Sequence, residues 1–495
     1  MEDSSDDDYA PSRLYIFPYL TVSNIRHSLP PYDYGDYERM GLPHVLAVPY
    51  PAQGHVIPIM EVCHCLVDQG FKVTFVNTEF NHKRLLAALS EESTMEHIVL
   101  VSVPDGLGPG DDRNDLGSLT ESLMKVMPRC LEELIEKSNE TEDPMTCMLV
   151  DETMGWALEV GRKKGLRSAA YWPGCAQMLA TKLSIPELVS RGVIDGYGKL
   201  ISEHEPFQLG PGMPFIDEPH LIWNLIGDGS DGRTKEIVFN NIVHNNRFID
   251  VAEFILCNSF KEIEEPTFRY NPKILPIGPL FTGLRPSRAV GHFWPEDAAC
   301  LSWLDEQQPG SVVYVAFGSF TIFDRLQFQE FALGLEATGR PFLWVVRSDL
   351  TDSSADVYPD GFKERVGDRG RIVAWAPQQK VLAHPSVACF VSHCGWNSIM
   401  EGVKNGKLFL CWPYFGDHFL DQIYICDDWK VGLRLTPDES GIVKREQVKS
   451  KVEELLSNEE MRTRASMLKE NARQNTNEGG ASLENLKIFM NAFKA

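Results

Sequence analysis

Among the 495 residues, a histidine and an aspartate are spaced and set as a proton-transfer pair would be. His55 closes the run Pro49-Tyr50-Pro51-Ala52-Gln53-Gly54-His55, which leaves the apolar stretch VLAVPY and leads into a helical pattern. Gly54 permits a tight approach there, and imidazole is the side chain best suited to take a proton near neutral pH. Asp151 stands 96 positions later, as the first polar residue after the apolar run MTCMLV. A carboxylate at that point can hold the far ring nitrogen of His55, fix its tautomer and stabilise the imidazolium. No G-x-S-x-G elbow supplies a nucleophile, so the pair would activate a hydroxyl brought by a substrate. Each residue also has a plainer reading, His55 as an inert helix-start histidine and Asp151 as a helix cap.

A second set of residues, in the later half, suits a nucleotide. Phe317-Gly318-Ser319 follows one buried run, and His393-Cys394-Gly395-Trp396-Asn397-Ser398 follows another and opens a helix. Backbone N–H groups at such a helix start, with the Asn397 and Ser398 side chains, make an anion site. Trp375-Ala376-Pro377-Gln378 offers an indole on which a base can stack and a backbone that can read its edge. Glu401 lies three and four positions after Ser398 and Asn397, on one helical face, where it can meet a ribose diol. Singly these residues are mostly structural; together they spell base, phosphate and ribose. Neither a Walker loop nor a GxGxxG fingerprint is present, and Gly402 to Lys407 is one residue short of the P-loop spacing.

The elements that must hold these residues alternate. Short apolar, β-branched runs at 45–50, 72–77, 98–103, 147–150 and 168–172 are separated by helical stretches such as 57–70 and 118–137. Residues 200–300 are less regular and rich in Pro, Gly and Trp, with strand candidates at 254–258 and 274–277. A second alternating block follows, with strands at 311–319, 342–346, 371–375, 387–392 and 408–412 and helices at 324–338, 396–405, 444–473 and 481–493. Strand, helix, strand in succession predicts two doubly wound parallel sheets, with a crevice at the carboxyl ends of their strands.

Composition narrows the class. With 47 basic and 70 acidic residues the net charge is −23, which argues against a nucleic-acid partner. Residues 1–39 are acidic, aromatic and proline-punctuated, and read as a disordered leader ahead of Met40; they hold eight acids and three bases, so the remainder keeps a charge of −18. Eleven cysteines without paired spacing fit a reducing compartment. Cys63-His64-Cys65 lacks a second Cys/His pair at ligand spacing, so no metal is expected. No apolar run of ~18 residues is found and the N-terminus is acidic where a signal peptide is basic, which together predict a cytoplasmic protein without a membrane span.

The run WAPQQKVLAHPSVACFVSHCGWNSIMEGVKNGKLFLCWPYFGDH, Trp375 to His418, resembles the 44-residue signature of the plant UDP-dependent glycosyltransferases of secondary metabolism. PYPAQGH and Asp151 agree with that family, so the resemblance covers the chain from about Met40 onward. It implies an α/β GT-B fold of two facing Rossmann-like domains: an acceptor-binding domain at 40–280, a linker at 281–295, a UDP-sugar-binding domain at 296–475, and a C-terminal helix at 476–495 packing back on the first domain. It implies that His55 is the general base and Asp151 its orienting partner. By the same resemblance Trp375 stacks on uracil with Ala376 and Gln378 beside it, and Ser319, His393, Asn397 and Ser398 contact the diphosphate. Glu401 holds the ribose, and Trp396, Asp417 and His418 touch the sugar. The implied enzyme is a metal-independent monomer without cofactor. It moves a hexose by single inversion from a UDP-sugar to a small hydroxylated acceptor such as a phenolic, flavonoid or terpenoid.

Two positions depart from the pattern. His418 stands where glucosyltransferases of the family usually carry Gln, and histidine there is associated with galactose transfer. Lys407-Leu408 stands where a small or apolar residue followed by proline is expected, and a lysine entering a buried strand suits a weakly active copy. An idle UDP-binding homologue of the same fold is therefore the alternative to an active enzyme. The acceptor is expected to be chosen by loops around 105–119 and 172–223, and the sequence does not name it.

Overall fold

The computed structural model describes residues 42–89, 97–202, 205–224, 232–280, 291–347, 350 and 357–494. The leader expected over 1–39 and residues 281–290 of the expected linker lie outside them.

Among the described residues, strands β1 (His44–Val48), β2 (Lys72–Thr78), β3 (Ile98–Val103), β4 (Cys147–Asp151), β5 (Arg167–Trp172), β6 (Phe254–Cys257) and β7 (Ile274–Pro276) form one sheet, in the spatial order β3-β2-β1-β4-β5-β6-β7. Strands β8 (Val312–Ala316), β9 (Phe342–Val345), β10 (Gly370–Val373), β11 (Val387–Ser392), β12 (Leu408–Cys411) and β13 (Gly432–Arg434) form another, in the order β10-β9-β8-β11-β12-β13. Every pairing in both sheets is parallel. These are the two Rossmann-like domains of the GT-B arrangement.

The apolar runs form these strands because crossover helices cover both faces of a parallel sheet, so successive side chains must all be buried. In β1, Val45 and Ala47 join the core on one face while Leu46 and Val48 join the core on the other. Burying one such side chain contributes about 1.5–3 kcal/mol, which makes a slip of one residue costly in either direction.

Strand order then decides where chemistry can happen. It reverses between β1 and β4 in the first sheet and between β8 and β11 in the second, and crossovers leaving in opposite directions open a crevice at the carboxyl end of each reversal. His55 follows β1 and Asp151 ends β4; Ser319 follows β8 and His393 follows β11. Both halves of the site thus stand at their domain's switch point.

Several elements differ from the sequence expectation. The first helix runs Gln53–Asp68 rather than from residue 57, starting on the extended Ala52, so His55 lies in its first turn. The irregular middle contains the helix Gly232–Asn246, whose sequence GRTKEIVFNNIVHNN carries too few apolar positions to show a clear period. The expected helix 444–473 is two helices, Arg445–Ser457 and Glu459–Thr476, because the Asn458 side chain leaves the first and caps the second by accepting from the Met461 N–H at 2.9 Å. The strand expected at 371–375 ends at Val373, which frees Trp375 from the sheet.

The last helix, Ala481–Lys494, returns to the first domain. Phe489 and Phe493 stack edge-on against Phe254, and Asn485 donates to the Pro276 carbonyl at 2.8 Å. Among the described residues no helix is long and apolar enough to cross a membrane.

Candidate active site

One cleft of about 730 Å³ separates the two domains and is lined by His55, Ser319, Trp375, Ala376, Gln378, His393, Trp396, Asn397, Ser398, Glu401, Asp417 and His418. Thus every expected site residue but one reaches the same space. The exception, Asp151, stands directly behind His55.

His55 Nδ1 and Asp151 Oδ2 are 2.7 Å apart. The aspartate is fully buried, and its second oxygen accepts from the Thr153 N–H at 2.9 Å, capping the short turn Glu152–Met154. The two readings open for Asp151, partner and cap, are therefore both true, one oxygen to each. Burial pushes this carboxyl up, but the His55 charge, its hydrogen bond and the Thr153 N–H outweigh burial and hold it below the usual aspartate range. It stays ionised and fixes the ring so that Nε2 is left to act. The aromatic rings of Tyr50 and Trp172 flank the imidazole, with centroids at 5.3 and 6.4 Å. Gly54 is not needed for close approach, since a Cβ there would meet only the Asn397 amide, at 4.0 Å. Its carbonyl matters instead, because it accepts from Asn397 Nδ2 at 2.7 Å across the cleft.

On the facing domain, the His393 ring is held between two glycines. A Cβ at Gly318 would come within 2.6 Å of His393 Nε2, and one at Gly395 within 2.5 Å. Gly318 also has φ +69, so both backbone and space require glycine. Burial, opposed by the neighbouring Ala316 carbonyl and aided by the Arg347 charge, pushes His393 down to about 4. At neutral pH it offers a neutral ring and no charge. Arg347, buried and unforeseen in the sequence, donates to the Gly318 and Thr321 carbonyls and so shapes the Ser319 loop.

The helix Trp396–Lys404 starts at Gly395 with no side-chain cap, leaving its first N–H groups toward the cleft. Two of its residues are already engaged across the domains. Trp396 Nε1 donates to the Asn258 carbonyl at 2.7 Å, and Asn397 Oδ1 accepts from Asn258 Nδ2 at 3.1 Å. The Trp396 and Asn397 side chains therefore tie the domains together. Asn258, the polar residue just past β6, also accepts from the Leu280 N–H at 3.1 Å.

Gln378 is locked at both ends of its amide. Its oxygen accepts from the Tyr314 hydroxyl at 3.1 Å, and its nitrogen donates to Ser398 Oγ at 2.9 Å and Glu401 Oε2 at 2.7 Å. Burial raises Glu401 to about 7, against the lowering effect of the Gln378 and Gln379 amides. Burial raises Asp417 to about 6, opposed by a backbone hydrogen bond and then by the His55 charge. His418 is buried, which drives it well below the ordinary histidine value, and its ring meets His393 edge-on at 4.7 Å. His418 Nδ1 accepts from the Tyr414 and Phe415 N–H groups, both at 3.4 Å, so Nε2 carries the proton.

The apolar part of the cleft wall is Ile57, Leu116, Trp172, Ile222, Val238 and Ile242. Val238 and Ile242 belong to the helix Gly232–Asn246, beyond the loops expected to choose the acceptor. Lys182 also lines it; its ammonium lies 4.0 Å from the Trp172 ring centre and pairs with Glu152, both side chains being buried. Lys407, read from the sequence as the mark of a weakly active copy, donates to the Val387 carbonyl at 2.7 Å and the His384 carbonyl at 3.2 Å. Among the described residues no group of three His, Cys, Asp or Glu could hold a metal ion.

Comparison with known proteins identifies the family and the fold. Residues 297–469 match the family model described as UDP-glucoronosyl and UDP-glucosyl transferase. The chain is 41% identical over 470 residues to UDP-glycosyltransferase 83A1 of Arabidopsis thaliana, covering 92% of this chain and 98% of that protein. A UDP-glucosyltransferase from Polygonum tinctorium capable of glucosylating indoxyl, solved with 3,4-dichloroaniline, superposes with a TM-score of 0.76 at 26% identity, over 92% of this chain and 99% of its own. Os79 of O. sativa, solved in complex with UDP, gives a TM-score of 0.74 at 25% identity, over 91% and 100% of the two chains.

Proposed function

The chain belongs to the plant UDP-glycosyltransferases, and from that premise we propose that it transfers glucose from UDP-glucose to a hydroxyl of a small, largely apolar acceptor, with inversion. The observation that carries this reading is the His55–Asp151 pair at 2.7 Å, opening on the same cleft as the helix start at Gly395.

His55 Nε2 takes the acceptor's proton as its oxygen attacks the anomeric carbon from the side opposite UDP. The α-linked donor then gives a β-glycoside, and Asp151 stabilises the imidazolium that results. The leaving UDP is met by the backbone N–H groups that open the helix Trp396–Lys404, by the Ser319 and Ser398 hydroxyls and by the neutral His393 ring. These donors need no metal to complete them. Glu401 takes the ribose hydroxyls, with Gln378 holding it in place, and Trp375 with Ala376 receives the uracil. Asp417 and His418 face the sugar.

Support for glucose comes from the Polygonum tinctorium protein, itself a UDP-glucosyltransferase. A second donor, UDP-galactose, is favoured by His418: with Nδ1 committed to two backbone amides, it presents one N–H where an amide side chain presents a donor and an acceptor. An apolar wall in a cleft of about 730 Å³ suits phenolic, flavonoid or terpenoid acceptors. The idle-homologue reading loses its second argument, because Lys407 is satisfied by two carbonyls far from the chemistry. Eleven free cysteines, most of them buried, support a cytoplasmic place of work.

The test is product formation from UDP-glucose and UDP-galactose across a panel of hydroxylated acceptors, run beside the His55→Ala variant. The reading expects glucoside from the native chain, none from the variant, and UDP affinity alike in both. Equal turnover by the variant would remove His55 as the base.

A further inference from the structure

We propose that Trp294 and Arg84 are positioning residues for the donor's uracil, holding the Trp375 indole from behind. This rests on the reading that Trp375 receives the base. The Trp294 and Trp375 rings stack with centroids 4.7 Å apart and planes 25° from parallel. Arg84 lies over the other face of this pair, its guanidinium carbon 4.4 Å from the Trp294 ring centre and 5.0 Å from that of Phe293.

Two cavities show which face of the stack is which. The donor cleft touches Trp375 and not Trp294. A second cavity of about 310 Å³ touches Trp294, Phe293, Arg84 and Phe80 and not Trp375. The two cavities adjoin at Ala52, Gln53, Ser319 and Phe320, which line both, and the stack presents Trp375 to the first and Trp294 to the second. A base landing on the cleft face of Trp375 extends an existing column to guanidinium, indole, indole and pyrimidine.

An indole that leaves a strand end has one face to offer and two torsions free to turn it. Trp375 is past the end of β10, where its carbonyl accepts from the Asp297 N–H at 2.9 Å. Stacking against Trp294 sets the plane in advance, so base binding does not have to order it. The cation over the outer indole holds that ring in turn.

The column also joins three parts of the chain. Arg84 belongs to the helix Glu79–Ala88 of the first domain, Trp294 to the connection and Trp375 to the second domain. The Phe293 N–H donates to Gln53 Oε1 at 3.1 Å, and Gln53 is the first residue of the helix that carries His55. The base platform is complete only when both domains are in place.

Titration calorimetry with two probes, UDP and inorganic pyrophosphate, tests this on the full chain and on Trp375→Ala, Trp294→Ala, Trp294→Phe and Arg84→Met. Losing one stacked ring is expected to weaken UDP about three- to tenfold in Trp294→Ala. Losing the cation is expected to weaken it about two- to fivefold in Arg84→Met. Pyrophosphate, which has no base, should bind all variants alike, Trp294→Phe should recover most of the UDP affinity, and KM for UDP-glucose should rise with kcat unchanged. Native UDP affinity in Trp294→Ala with a clear loss in Trp375→Ala would overturn the inference and leave the role of Trp375 standing. Native affinity in Trp375→Ala would remove that role and the inference with it. Equal loss of UDP and pyrophosphate in Trp294→Ala, or a fall in kcat, would make Trp294 a plain packing residue.

Discussion

Asn397 of the second domain donates its side-chain amide to the Gly54 carbonyl of the first, at 2.7 Å, and that carbonyl is free because Pro58 stands four residues further along the helix. A proline has no N–H to return to the carbonyl four positions back, and its ring pushes that carbonyl outward. The defect in the His55 helix is thus one of the contact points between the domains.

Replacing Pro58 by Ala restores the missing N–H and should trade one property for the other. The helix gains stability, up to about 3 kcal/mol by propensity, so the melting temperature rises. The tie to Asn397 weakens by about one hydrogen bond, so kcat/KM falls about two- to tenfold. Thermal unfolding and steady-state kinetics on the same preparation check both signs; an unchanged kcat/KM would mean the tie is incidental.

Asp151→Asn keeps the shape beside His55 and removes the charge. The expected loss in kcat is about 10²- to 10⁴-fold, with UDP affinity unchanged. Its effect on stability has a definite sign. The folded Asp151 lies below the ordinary value of 3.8, so it contributes stability above that pH, and the contribution is lost as pH falls through the lower folded value. Acid unfolding should therefore begin at higher pH in Asp151→Asn; circular dichroism from pH 5 to pH 2 reads it.

Glu401 sits at about 7, so its charge changes in the working range. The carboxylate accepts from both ribose hydroxyls and the acid from fewer, so UDP affinity should rise from pH 6 to pH 8 by up to about tenfold relative to Glu401→Gln. Comparing the two proteins removes the titration of UDP itself. For stability the sign is opposite: between 4.5 and about 7 the unfolded chain gives up this proton first, so the group costs progressively more. Glu401→Gln should accordingly melt higher than the native chain at pH 8 while binding UDP less well.

Lys407→Met should leave kcat/KM within about twofold, because the ammonium serves two carbonyls behind the sheet and nothing in the cleft. A large loss of activity would restore the reading of a damaged site. Burial lowers this lysine to about 8 from 10.5, so between those values the unfolded chain holds its proton longer than the folded one. Stability of the native chain relative to the variant should therefore rise from pH 8 to pH 10.5, a difference that melting curves across that range measure.

Much of this was legible from residue order. Apolar runs four to seven residues long announced the parallel strands, since burial on both faces leaves no room for alternation. The signature from Trp375 to His418 announced the donor half, because a helix start, an indole and a carboxylate at fixed spacing on adjacent elements carry their geometry with them. The helix Gly232–Asn246 was not legible, because its buried residues, Thr234, Phe239, Asn241, Ile242 and Asn245, mix polar with apolar and leave no apolar stripe. Nor was the break at Asn458, where one side-chain oxygen outweighs an unbroken helical pattern.

By itself the sequence determined which groups this protein has for its chemistry: a histidine and an aspartate at strand ends, glycines around a second histidine, and a family pattern around them. Only the tertiary structure decided how those groups are spent. Strand order brought His55 to Asp151 across 96 positions and placed Asn397 on the carbonyl that Pro58 freed. It turned Trp396 into a domain clasp, deprived His393 of its charge by burial, and set Trp294 behind Trp375. Hydrogen bonds, burial and stacking depend on distances through space, and those distances exist only after both sheets have formed and faced each other.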